Sequence, residues 1–209
     1  MDRSSRQTST AIKRGLTLLF VTLIWSAADV QARDILVLGD SLSAAYRIDP
    51  EQGWVALLQS RLGEDHHVVN ASVSGETTSG GRGRLPRLLE EYSPDLVLIE
   101  LGGNDGLRGL PLQSIEANIN AMVEASLETG ADVLLLGIRI PPNYGERYTE
   151  SFFSIYHRVS EGYSVPLVPF ILEGIATDRR YMQNDGIHPN VEGQPLLLEN
   201  VWPNLELLL

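Results

Sequence analysis

No cysteine occurs anywhere in the chain, and lysine occurs once, at Lys13. The first absence removes thiolate metal ligands and cysteine nucleophiles, but it leaves compartment open, because an exported domain of this size does not need disulfides. The second excludes, for everything after Lys13, a Walker P-loop, a protein-kinase lysine, a Schiff-base lysine and a Ser-Lys dyad. Gly80-Gly81-Arg82-Gly83 is therefore no phosphate loop of that type. Long hydrophobic runs are also missing. The longest, residues 16–25, has ten residues, and a bilayer core needs ~20. Positive charge is scarce: 16 basic residues face 27 acidic ones, for a net charge of -11.

What stands at the N-terminus is a basic start (Arg3, Arg6, Lys13, Arg14), that short apolar run, and small residues ending at Ala32. This is the pattern of a cleavable secretory signal peptide over residues 1–32. One domain is then expected over residues 33–209, with a periplasmic or secreted destination. Removing residues 1–32 takes away four basic and two acidic side chains, so the charge falls from -11 to -13. Such a surface repels nucleic acid and anionic headgroups, so neither nucleic-acid binding nor stable membrane insertion is expected. Oligomeric state is not legible.

Apolar segments of strand length alternate with segments of helical spacing. Strands are expected over residues 34–38, 68–73, 96–101, 133–140 and 166–170. Helices are expected over residues 54–62, from Thr77 or Thr78 to 92, 112–128, 150–161 and 191–209. The fourth of those strands should end at Pro141-Pro142. In the 112–128 helix, Ile115, Ile119, Met122, Val123 and Leu127 form one stripe. Pro195 should sit in the first turn of the last helix and Pro203 near a break. The strands are continuous rather than alternating in hydrophobicity, which fits a parallel sheet covered on both faces. The fold class is α/β: one open sheet in a three-layer αβα arrangement, with ligands bound beyond the carboxyl ends of the strands.

Unusual polar residues collect at those ends. Ser41 follows the first strand in GDSLS, Gly75 the second, Asn104 the third in GGNDG, and Asp185 and His188 the fifth in DGIHP. Acyl transfer needs a nucleophile, a base, a group that orients the base, and oxyanion donors. Ser41 suits the first role. His188 suits the second, because an imidazole titrates near neutrality. Asp185, three residues earlier, would share a face with His188 on a helical turn. Pro189 stiffens the backbone at His188. The amide of Gly75, the side chain of Asn104 and the amide of Ser41, if it opens a helix, are candidate oxyanion donors. Singly, each feature has a plainer reading as a turn, a cap or half a metal site. His66, His67 and His157 have no such setting and read as surface residues.

These four blocks resemble the signature blocks of the SGNH (GDSL) hydrolases, and the similarity extends over roughly residues 34–195. LGGNDGLRG, DGIHPN and Pro142-Asn143-Tyr144-Gly145 are similar to the bacterial periplasmic thioesterase/lysophospholipase/arylesterase branch. The resemblance implies a flavodoxin-like sheet of five parallel strands in the order 2-1-3-4-5. It also implies a loop over residues 105–111 that moves on acyl binding. One departure is visible: Ala45 stands where the first block commonly has glycine, and a methyl group there is expected to narrow the cleft or stiffen the turn. The rival serine-hydrolase signature G-x-S-x-G is absent.

The function expected is a serine esterase acting on acyl or aryl esters, thioesters and lysophospholipids through an acyl-enzyme, with no cofactor and no metal. The high negative charge disfavours a polyanionic CoA substrate. Leu107, Leu110 and Ile140, with Leu112, are candidates for an acyl groove. The competing readings are a carbohydrate O-deacetylase on the same fold, a non-catalytic lipid- or ester-binding protein, and a metal-dependent phosphoesterase.

Overall fold

The computed structural model describes Met1 and residues 32–209. All but the ends of the expected leader lie outside the described residues. The sheet is built from β1 (Asp34–Gly39), β2 (His67–Asn70), β3 (Leu96–Glu100), β4 (Asp132–Leu136) and β5 (Leu167–Val168). Every pairing is parallel, and the strand order is β2-β1-β3-β4-β5. This is the expected three-layer α/β fold.

The central strands β1 and β3 carry no alternation because both of their faces are covered. On one side α1 (Trp54–Leu62) packs on α6 (Gln194–Leu205). On the other lie α2 (Thr78–Tyr92), α4 (Leu112–Glu128) and α5 (Glu146–Tyr163). A single-turn helix, α3 (Gly103–Leu107), follows β3. The two sides share a core in which Ile35, Leu36, Leu98, Trp54, Ile119 and Phe152 are fully buried. Each such side chain contributes about 1.5–3 kcal/mol relative to exposure. Among the described residues no helix is long and apolar enough to cross a membrane.

Several elements depart from the sequence expectation for identifiable reasons. β2 stops at Asn70 instead of residue 73: the chain still donates from Ala71 and Val73 to β1, but Val73 is exposed. β5 keeps only two residues, because Pro166 and Pro169 on either side have no N–H for the ladder. β4 ends at Leu136 rather than Ile140, since its partner is so short; Ile138 and Ile140 stay buried in an irregular segment. α5 is longer than expected and begins directly after Gly145, whose φ is 91°. On α4, Leu127 turns outward and Ser126 is buried in its place, its hydroxyl bonded to the Met122 carbonyl. Pro203 makes no break. It sits inside α6, which runs on to Leu205 before tightening into a 3-10 turn.

Candidate active site

The residues singled out by sequence meet at the carboxyl edge of the sheet. β1 delivers the chain to Ser41, where it turns repeatedly over residues 41–47 instead of opening a helix. Oγ of Ser41 lies 2.9 Å from Nε2 of His188. Nδ1 of His188 lies 2.8 Å from Oδ2 of Asp185. The carboxylate can only accept, so Nδ1 carries the proton and Nε2 offers its lone pair to the serine hydroxyl.

Asp185 and His188 do not share a helical face, as the spacing suggested. They belong to a loop in which Oδ1 of Asp185 accepts the main-chain N–H groups of Ile187 and His188, each at 3.0 Å. Gly186 takes a φ of 68°, which lets the chain fold back over the carboxylate. Burial alone would raise the pKa of Asp185, but those two amides and the imidazole outweigh it and hold the carboxyl down at about 2. The loop is closed by a bridge between Met182 and Pro189 and tied to the Ser41 segment by Gln183, whose amide donates to the Tyr46 carbonyl.

The three expected oxyanion donors come from different segments of the chain. The Ser41 and Gly75 amides have no hydrogen-bond partner among the described residues. Gly75 has a φ of 82°, a conformation that favours glycine. Its carbonyl accepts from Arg108, which steadies the loop. Asn104 sits on α3, and its Nδ2 donates one proton to Oδ2 of Asp40 at 2.9 Å, leaving the second free. All the expected oxyanion donors are thus on one edge, although the Ser41 amide belongs to a turn and not a helix N-terminus.

A groove of about 580 Å³ opens beside Ser41 and His188. Leu107 and Ile140 line it, as expected. Leu110 does not: it is exposed, and its carbonyl accepts from the Tyr148 hydroxyl. Leu112 lies away from the groove, in a more open surface cleft with Tyr144, Tyr148 and Arg158 that contains none of Ser41, Gly75, Asn104, Asp185 and His188. The groove's larger apolar walls are Phe153, Phe170, Leu172 and Met182, which sequence reasoning missed because nothing but tertiary packing marks them. Tyr46 was missed too. Its ring packs on the His188 imidazole with centroids 4.4 Å apart, which limits the swing of the imidazole.

Two further corrections concern isolated residues. His66 is buried, not on the surface, and accepts from the Arg33 amide. His157 is half-buried against Phe153, whereas His67 is exposed as expected. Ala45 does not narrow the groove. It is buried in the turn at a φ of 54°, with its methyl group against Gly53.

An α/β sheet whose edge gathers a hydroxyl, an imidazole, a carboxylate and free N–H groups beside an apolar groove suits acyl transfer, and this molecule is a carboxylic ester hydrolase. The family model of the GDSL-like lipases and acylhydrolases matches residues 37–196. The chain belongs to that family. It is 52% identical over 192 residues to a Pseudomonas aeruginosa protein named esterase TesA, covering 90% of this chain and 96% of that one. It is 44% identical over 184 residues to thioesterase 1/protease 1/lysophospholipase L1 of Escherichia coli K12, covering 88% and 86%. A crystal structure of TesA superimposes with a TM-score of 0.82 at 55% identity, covering 84% of this chain and 99% of that one.

Proposed function

We propose that Ser41 is the nucleophile of a two-step esterase, with His188 as general base and Asp185 as its orienting partner. The observation that carries this reading is the unbroken series Ser41–His188–Asp185, at 2.9 and 2.8 Å. Ser41 attacks the ester carbonyl while Nε2 of His188 takes its proton. The resulting oxyanion is received by the Ser41 and Gly75 amides and the free N–H of Asn104. His188 then protonates the leaving alcohol. A water activated in the same way releases the acid and restores the serine.

The substrates proposed are acyl and aryl esters, thioesters and lysophospholipids, the acyl chain lying in the groove against Leu107, Ile140, Phe153 and Phe170. The apolar walls favour such chains over the acetylated sugars of an O-deacetylase. Residues 1–32 are proposed to direct export and to be removed, which places the enzyme in the periplasm or outside the cell.

The test is hydrolysis of p-nitrophenyl esters of increasing acyl length by the native protein and by Ser41→Ala. The variant should keep its circular dichroism spectrum and lose ~10⁴-fold or more in kcat. Equal activity in both proteins would sink the mechanism, and an optimum at acetate would favour deacetylation.

A further inference from the structure

Asp40 takes no part in the proton relay, yet its buried carboxyl reaches the site at two points. Oδ1 accepts from the Leu42 main-chain N–H at 3.0 Å, and Oδ2 accepts from Nδ2 of Asn104 at 2.9 Å. We propose that Asp40 is a positioning residue for the oxyanion site: its ionised carboxylate dictates which way round the Asn104 amide sits. This inference rests on the reading of Asn104 as an oxyanion donor.

A side-chain amide has nearly the same shape when its oxygen and nitrogen are exchanged, so shape alone does not orient Asn104. Charge does. An ionised carboxylate only accepts, so the NH₂ end must face Asp40. One hydrogen of that NH₂ group bonds Asp40 and the other is left for the substrate oxygen. With the amide turned over, Asn104 would present lone pairs to an oxygen gaining negative charge, and a donor would become a source of repulsion.

Asp40 is itself well anchored. It is 2% exposed, and its own N–H donates to Oε2 of Glu100 at 3.1 Å. Its hydroxyl neighbour Ser41 is 3.4 Å away, too far to compete with the 2.9 Å contact to His188. The charged and titratable groups that act on it are Glu100 from β3, Tyr156 from α5 and His188 from the last loop. Burial pushes the Asp40 carboxyl up to about 6, against the pull of the Leu42 and Asn104 hydrogen bonds. The charged form that orients Asn104 therefore holds above that pH.

The isosteric change Asp40→Asn exposes this role. Its side chain has one acceptor for two claimants. If that acceptor stays on the Leu42 N–H, its NH₂ faces Asn104 and turns the Asn104 oxygen toward it. If it faces Asn104, two donors meet at Leu42.

The experiment is a double-mutant cycle on a p-nitrophenyl ester between pH 7 and 9: native protein, Asp40→Asn, Asn104→Ala and the pair. Asn104→Ala should lower kcat ~100- to 1,000-fold. Asp40→Asn alone should lower kcat ~100-fold with KM changed less than about threefold. In the Asn104→Ala background Asp40→Asn should cost no more than about a further threefold, because its target is already gone. Equal losses from Asp40→Asn in both backgrounds would overturn the proposal, leaving a merely structural Asp40. Native kcat in Asn104→Ala would overturn it differently, by removing the oxyanion reading beneath it. If thermal melts show Asp40→Asn unfolded, Asp40→Ala enters the same cycle under the same criterion.

Discussion

The main-chain N–H of Asp40 donates to Oε2 of Glu100 across 3.1 Å, which sets two buried carboxyls back to back beneath Ser41. Two negative charges in a dry interior are costly, so one of them keeps its proton. Burial, with the charge of Asp40 added, raises Glu100 well above the carboxylate range. Its Oε2 also accepts from the Ser43 hydroxyl at 2.8 Å, while Oε1 has no partner among the described residues. Glu100 is thus the carboxyl of the pair pushed toward its protonated form.

Glu100→Gln should therefore be mild at neutral pH. The amide oxygen can take the two donations made to Oε2, and the NH₂ takes the place of Oε1. Urea denaturation at pH 7 should show a change within about 1 kcal/mol. A loss of ~3 kcal/mol or more would mean that Glu100 is ionised in the native protein.

Asp40 and Asp185 should pull stability in opposite directions along the pH scale. Asp40 is raised by burial to about 6, so the folded state holds its proton more tightly than the unfolded chain. That contribution is complete below pH ~4 and is lost between about pH 4 and 6, on the order of 3 kcal/mol. Asp185 is held at about 2, so its contribution is present above pH ~4 and lost as pH falls through 2. Denaturation of Asp185→Asn should accordingly match the native protein near pH 2 and fall below it at pH 5. A constant difference across that range would show that the hydrogen bonds to Asp185 do not depend on its charge.

Ala45→Gly should stabilise the fold. Ala45 has a φ of 54°, which costs a residue with a Cβ ~1–2 kcal/mol, while the looser unfolded chain returns ~0.4–1. The net gain should raise Tm by about 1–4 °C in differential scanning calorimetry. A fall in Tm would mean that the methyl contact with Gly53 outweighs the backbone strain.

Gly102→Ala should do the reverse. Gly102 has a φ of 120°, and a Cβ there would stand 2.5 Å from the Tyr156 hydroxyl. That hydroxyl donates to the Leu101 carbonyl, at the entrance to the helix that carries Asn104. A loss of ~2–3 kcal/mol, read as a Tm lower by about 4–12 °C, and a reduced kcat should appear together. Unchanged activity would show that α3 does not depend on this contact.

Much of this architecture was legible because the strands are coded locally. ILVL and LVLI read as buried parallel strands without any knowledge of their neighbours, and the polar blocks begin where those runs stop. The features that were not legible depend on who packs against whom. Leu110 and Phe170 look equally apolar in sequence, yet only Phe170 meets the groove. His66 looks like His67, yet only His66 is covered. Asp40 stood in plain view inside GDSLS, but its tie to Asn104 spans 64 residues. The strand ends were misplaced for a related reason: a strand lasts only as long as its partner can pair, and Pro166 and Pro169 limit that partner from another part of the chain.

The 147 positions that separate Ser41 from His188 also order events in time. A chain emerging from its N-terminus presents the Ser41 hydroxyl first, then the amides of Gly75 and Asn104, and the His188 imidazole only after every strand is available. Until then the serine is an ordinary alcohol. With the proposed triad, turnover should begin only when that last loop has folded into place.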